Sequence, residues 1–224
     1  YENDLNPEMR TLIDMYTDSD EASVGHRPLF IDIEVDIASG FPTPEEAQNE
    51  VTSIAIFDEA GDQRCVWILD KDGVVENMTK PGYEVVSCRD EHTLLSKFLY
   101  KYYEIQPTLI TGWNIDFFDI PYLYNRMVQI LGEKQARGLS PINDVIWLKH
   151  RNRYRISGVS CLDYMALYKN FTYNQESSYS LEAISQKELG RELTKEEETQ
   201  AVQEKFLSNP ILNPISNFMI PTLT

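Results

Sequence analysis

Leu29-Phe30-Ile31-Asp32-Ile33-Glu34-Val35 decides how the chain is read. Leu29, Phe30, Ile31, Ile33 and Val35 are apolar, three of them β-branched, and the run is too short for a helix. It reads as a buried strand. On a strand, residues i and i+2 share a face, so the carboxylates of Asp32 and Glu34 point the same way. Two like charges side by side in an apolar strand are unfavourable unless a cation or hydrogen bonds compensate them. A magnesium or manganese pair would do so, since two ions about 3.5–4 Å apart clamp the attacking and leaving oxygens of a phosphodiester hydrolysis. A solvated strand end is the plainer reading of the same acids.

Working outward, residues 51–57 and 65–69 form two more strand patterns, separated by the turn-rich Asp58-Glu59-Ala60-Gly61-Asp62. Residues 84–87 predict a short strand. Asp90 is an N-cap for a helix over about 91–104, where Leu94, Leu95, Phe98 and Leu99 keep helical spacing. Residues 108–111 are again strand-like, and a helix over 117–131 ends at Gly132. Residues 144–157 predict a hairpin whose tip gathers Lys149, Arg151, Arg153 and Arg155. Helices are expected at about 163–170 and 180–189, the latter stopped by Gly190. Thr194 and Glu197 have capping-box spacing for a last short helix to about 207. A strand meander followed by strands alternating with helices is the pattern of an α/β sheet of mixed direction.

Composition narrows the chemistry. The 224 residues hold 20 Lys and Arg against 36 Asp and Glu, a net charge of −16. That argues against simple electrostatic binding of phosphate, which needs many cationic side chains. It leaves room for an enzyme that reaches phosphate through metal ions. No apolar run approaches the ~20 residues of a membrane-spanning helix, and no segment resembles a signal peptide. Cys65, Cys88 and Cys161 lack zinc-type spacing, which predicts reduced thiols and a cytoplasmic protein. The first residue is Tyr1, before which an initiator Met is not normally removed, so residues upstream are expected.

A second candidate site is Gly112-Trp113-Asn114-Ile115-Asp116-Phe117-Phe118-Asp119-Ile120-Pro121-Tyr122-Leu123, at a strand-to-helix junction. Asp116 fits a helix N-cap or first-turn acid. Asp119, set between Phe118 and Ile120, is either a cap with Pro121 in the first turn or a metal ligand.

These segments carry a resemblance. Phe30-Ile31-Asp32-Ile33-Glu34-Val35 resembles the first exonuclease motif of family B DNA polymerases, and residues 112–126, ending Tyr124-Asn125-Arg126, resemble the second. Asp163-Tyr164, Leu167-Tyr168-Lys169 and Ser178-Tyr179-Ser180-Leu181 are similar to the stretch that follows, and the likeness to replicative polymerases of large tailed phages covers about residues 28–190. It implies a ribonuclease-H-like mixed β-sheet flanked by helices, with an inserted β-hairpin. It also implies removal of mismatched nucleotides from the 3′ end of DNA by two divalent ions, Mg2+ or Mn2+, held by four carboxylates. Carried across, Asp32, Glu34 and Asp119 are catalytic metal ligands and Asn114 lies near the substrate strand. Phe41 falls where an aromatic stacks on the terminal base, or it packs back on the core. The hairpin, with Lys149, Arg151 and Arg153, helps separate primer from template, or is an ordinary solvated hairpin.

The fourth carboxylate of the family lies in a Tyr-x-x-x-Asp motif on a later helix. Here the last Asp is Asp163 and the last Tyr is Tyr179, so the motif is absent. The domain division expected is a lead-in over 1–27 from a preceding domain, an exonuclease domain over 28–190 and a divergent segment over 191–224. The partners expected are a single-stranded 3′ end of DNA and the remainder of a polymerase, in cis or in trans, with no membrane. Two other functions compete: a free-standing metal-dependent nuclease, and a non-catalytic nucleic-acid or replisome-binding module that keeps the fold.

Overall fold

A computed structural model describes residues 6–19, 25–38, 40, 42–172 and 175–189. Phe41, the helix expected after Thr194 and the segment 191–224 lie outside the described residues. In chain order the elements are α1 (Pro7–Tyr16), β1 (Pro28–Val35), β2 (Val51–Asp58), β3 (Gln63–Leu69), β4 (Met78–Lys80) and β5 (Tyr83–Cys88). There follow α2 (Glu91–Ile105), β6 (Leu109–Gly112), α3 (Asp119–Ile130), α4 (Glu133–Ala136), β7 (Val145–Leu148), β8 (Arg153–Ile156), β9 (Ser160–Asp163), α5 (Tyr164–Phe171) and α6 (Leu181–Leu189).

Seven strands make one sheet in the order β4-β5-β3-β2-β1-β6-β9. β1, β2 and β3 are an antiparallel meander, as the sequence predicts. β3 with β5, β1 with β6, and β6 with β9 run parallel, because a helix or long connection intervenes before each second strand. The sheet is therefore of mixed direction and flanked by helices, the ribonuclease-H-like arrangement expected. β7 and β8 form the separate basic hairpin.

One face of β1 supplies Leu29, Ile31 and Ile33, all buried, and α2 and α3 cover it with Leu94, Leu95, Phe98, Leu123 and Met127. The Phe98 ring stands edge-on to Trp67 at 5.8 Å. Fully burying each such side chain stabilises by about 1.5–3 kcal/mol. The predicted α2 spacing is the reason it packs here, and Asp90 caps it by accepting from Thr93 N at 2.7 Å.

Helix α3 also grips the β1–β2 connection. Tyr122 Oη accepts from Asn49 N and donates to Asn49 O, Asn125 donates to Pro44 O, Arg126 to Ala47 O and Gln48 O, and Gln129 to Glu46 O. Beneath them Arg126 and Glu91 form a buried ion pair at 2.6 Å, and Glu91 also accepts from Val51 N at 2.8 Å. One helix face thereby fixes residues 44–50 against α2 and the start of β2.

Some elements differ from the sequence reading. α1 lies in the segment read as lacking periodicity, started by Asn6, whose side chain accepts from Met9 N, and by Pro7 in the first turn. β9 takes up Ser160–Asp163, which has no alternation of its own and is a strand through parallel pairing with β6. The helix expected over 117–131 starts at Asp119, after two turn bonds from Phe117 N and Phe118 N to Asn114 O.

Candidate active site

The site grows out of a gap in the sheet. Parallel pairing of β1 with β6 ends at Phe30–Thr111, and Gly112 passes so close to β1 that a Cβ there would stand 2.5 Å from Ile31 O. β6 then stops. Asn114 turns the chain at φ 64, a left-handed conformation that Asn tolerates better than most side chains. The turn delivers Asp119 as the first residue of α3, and its Oδ1 accepts from Ile33 N at 3.1 Å, where β1 has run past its partner strand. Carboxylates from two distant segments so meet at the carboxyl end of a central strand, the usual ligand position in open α/β sheets.

Asp119 is only 3% exposed, Asp32 is half-buried and Glu34 is exposed. The β1 ladder places Asp32 opposite Ala55 and Glu34 opposite Ser53, with a bulge after Glu34. Burial, and secondarily the charge of Glu34, pushes the Asp32 carboxyl from its usual value of 3.8 up to about 6. Asp119 is raised well above the carboxylate range, first by burial and then by the charge of Asp32. The acids thus repel one another in a poorly solvated place that would favour a cation.

This has a consequence for stability. Well below pH 3.8 Asp32 is protonated whether the chain is folded or not. As pH rises to about 6 the unfolded chain ionises first, and the folded state loses stability at about 1.4 kcal/mol per unit, up to about 3 kcal/mol in all. Chemical denaturation of wild type and Asp32→Asn at pH 4 and pH 7.5, without divalent ions, measures it. The variant should gain up to about 3 kcal/mol on wild type between the two pH values; parallel curves would contradict the shift.

Sequence reasoning singled out Asp163 only as part of a similar stretch. It is a central support: 4% exposed, it accepts from Asn114 N, Asp116 N, Met165 N and Ala166 N, capping α5 and holding the loop before Asp119. An Asp just before the apolar run Tyr164-Met165-Ala166-Leu167 was the available signal. Asn114, expected near substrate, is half-buried with its backbone fixed in this way. Phe117 is 49% exposed beside the site.

The hairpin tip presents Lys149 and Arg151, both exposed. Arg153 turns inward, donating from Nη1 to Asp116 Oδ2 at 2.5 Å, and Arg155 lies 3.7 Å from Asp144. The thiols of Cys65 and Cys161 are pushed by burial up to about 12, so neither is a nucleophile at neutral pH.

The donor set is all carboxylate oxygen, the chemistry of hard divalent cations. Among the described residues no three acidic, His or Cys side chains gather closely enough to hold one ion. A pair of carboxylates suffices for Mg2+ when substrate phosphates complete its shell.

The sequence profile described as DNA polymerase family B, exonuclease domain, matches residues 6–184. The chain belongs to the exonuclease domain family of family B DNA polymerases. The DNA-directed DNA polymerase of Escherichia phage RB69 is 35% identical over 185 residues, covering 70% of this chain and 20% of that protein. That of Enterobacteria phage T4 is 32% identical over 184 residues, with the same coverage. The DNA polymerase of Pyramimonas orientalis virus is 28% identical over 75 residues, 34% of this chain and 6% of that protein. The chain spans about a fifth of the length of the phage relatives. Exonuclease domains of this family are divalent-metal-dependent hydrolases that act on DNA within a larger polymerase. Among the described residues no helix is long and apolar enough to cross a membrane.

Proposed function

We propose that the chain is the 3′–5′ proofreading region of a family B DNA polymerase and hydrolyses the terminal phosphodiester of a single-stranded 3′ end. The observation that carries this reading is the meeting of Asp119 with β1 beside Asp32, Ile33 and Asp119 being 86 residues apart in sequence, in a chain of the exonuclease family. Asp32, Glu34 and Asp119 would hold two Mg2+ or Mn2+ ions. When bound, the ions would lower the pKa of water and stabilise charge on the leaving oxygen.

The chain's own residues do the rest. Ile33 N–H holds the Asp119 carboxylate against β1, beside Asp32. Asp163 holds the Asn114 turn, which sets where the substrate strand passes. Phe41 stacks on the terminal base, and Lys149 and Arg151 contact phosphates of the strand being separated. The rest of the polymerase, in cis or in trans, supplies the remaining ligand. Residues 28–190 make up this domain, with 1–27 leading in from a preceding one and 191–224 diverging from the family. The three free thiols suit a reducing cytoplasm, that of the host cell if the chain is phage-encoded.

Titration with Mn2+, followed by electron paramagnetic resonance, tests the site. Wild type should bind, and Asp32→Ala and Asp119→Ala should each weaken binding at least tenfold. Unchanged binding in both variants would remove these residues from the site. The loose gathering of acids favours one other reading, a non-catalytic DNA-binding module that keeps the fold. It would bind single-stranded DNA equally well with chelator and with metal.

A further inference from the structure

Above its base, where Val145 and Ile156 are buried in the core, the hairpin is tied down by two neighbouring residues of β8, and both ties lead to the active-site segment. Arg153 Nη1 donates to Asp116 Oδ2, with the Asp116 side chain only 7% exposed. Asp116 in turn donates its own N–H to Asp163, as Asn114 does. Tyr154 Oη donates to Asn125 Oδ1 at 2.7 Å, and its ring lies 4.6 Å from Tyr124 and 4.9 Å from Trp147. Asn125 and Tyr124 belong to α3, whose first residue is Asp119. The basic tip, by contrast, is exposed, and among the described residues no ion pair joins Lys149 or Arg151 to a carboxylate.

We infer that Arg153 is a positioning residue that latches the hairpin to the Asn114–Asp119 turn, while phosphate contact at the tip falls to Lys149 and Arg151. Asp116 is buried and would be left unpaired without Arg153, so the turn it belongs to would loosen. A load on the tip is passed to the turn through this pair and to α3 through Tyr154. The part of the inference that concerns DNA rests on the function proposed above; the latch itself does not.

Two measurements on the 224-residue chain separate the roles. Native-state hydrogen exchange reads the amides of Asn114 and Asp116. Arg153→Ala should speed their exchange about tenfold, Arg153→Lys less, and Lys149→Ala and Arg151→Ala should leave it unchanged. Binding of an oligo(dT) strand over a range of salt reads phosphate contact. Loss of one contact lowers the slope of log K against log salt by about 0.7 for a single strand. That drop is expected for Arg151→Ala and absent for Arg153→Ala. If Arg153→Ala lowers the slope and leaves both amides protected, Arg153 is a phosphate ligand and the latch is wrong. If the wild-type chain binds no oligo(dT), the proposed function fails, and the exchange experiment still decides the latch.

Discussion

Incubated with Mg2+ or Mn2+ and an oligonucleotide with a free 3′ end, the 224-residue chain is expected to leave the strand intact or to shorten it only at the edge of detection. Two-metal hydrolysis needs both ions fixed while charge moves from attacking to leaving oxygen. Here Asp119 is held by Ile33 N–H and Asp32 lies near it, but Glu34 is exposed and no third acid converges with them among the described residues. After Asp119 the sequence holds no Tyr-x-x-x-Asp, the motif in which the resemblance places a fourth carboxylate. A ladder of shortened products on a denaturing gel is the readout. Digestion at rates typical of complete proofreading enzymes, abolished by Asp32→Ala, would show that three acids are enough. Restoration of digestion by an added polymerase fragment bearing the Tyr-x-x-x-Asp motif would show that a partner completes the site.

Glu91→Ala should destabilise the fold by about 3–5 kcal/mol, more than any surface change. The Glu91 and Arg126 side chains are 6% and 10% exposed. Glu91 accepts from Arg126 Nε at 2.8 Å, Arg126 Nη2 at 2.6 Å and Val51 N at 2.8 Å, so its loss leaves a buried guanidinium without its counter-charge, held only by two backbone carbonyls, and a backbone N–H without its acceptor. Removing one partner of a buried pair is far more harmful than replacing both by apolar groups. Urea unfolding of Glu91→Ala, Arg126→Met and the double variant Glu91→Leu/Arg126→Met forms the test. The double variant should recover much of the loss. A single variant within about 1 kcal/mol of wild type would mean that water already reaches the pair.

Most of the architecture could be read from residue pattern. Apolar, β-branched runs marked β1 to β3, helical spacing marked α2, and strand-like residues flanking a run of cations marked the basic hairpin, because in each case the signal is local. What escaped was set by distant partners. β9 is a strand because β6 lies beside it, and β4 is three residues on the edge of the sheet. The candidate site was legible only in part. Asp32, Glu34 and Asp119 stood out as acids among apolar neighbours. The importance of Asp163 did not, since its worth lies in four backbone groups it accepts from, two of them 47 and 49 residues away. Nor could the sequence tell that Arg153, one of four cations in seven positions, faces an acid rather than solvent.

The way β1 is paired sets a timetable. Its antiparallel neighbour β2 follows after the connection 36–50, so this pairing closes a smaller loop, at less entropic cost, than the pairing with β6. Its parallel neighbour β6 and the acid that seals its free N–H arrive only after the chain has gone around α2, a span of 86 residues from Ile33 to Asp119. On a ribosome making about 5–20 residues per second, the half of the sheet that carries Asp32 and Glu34 therefore stands for several seconds before the half that completes their surroundings is made.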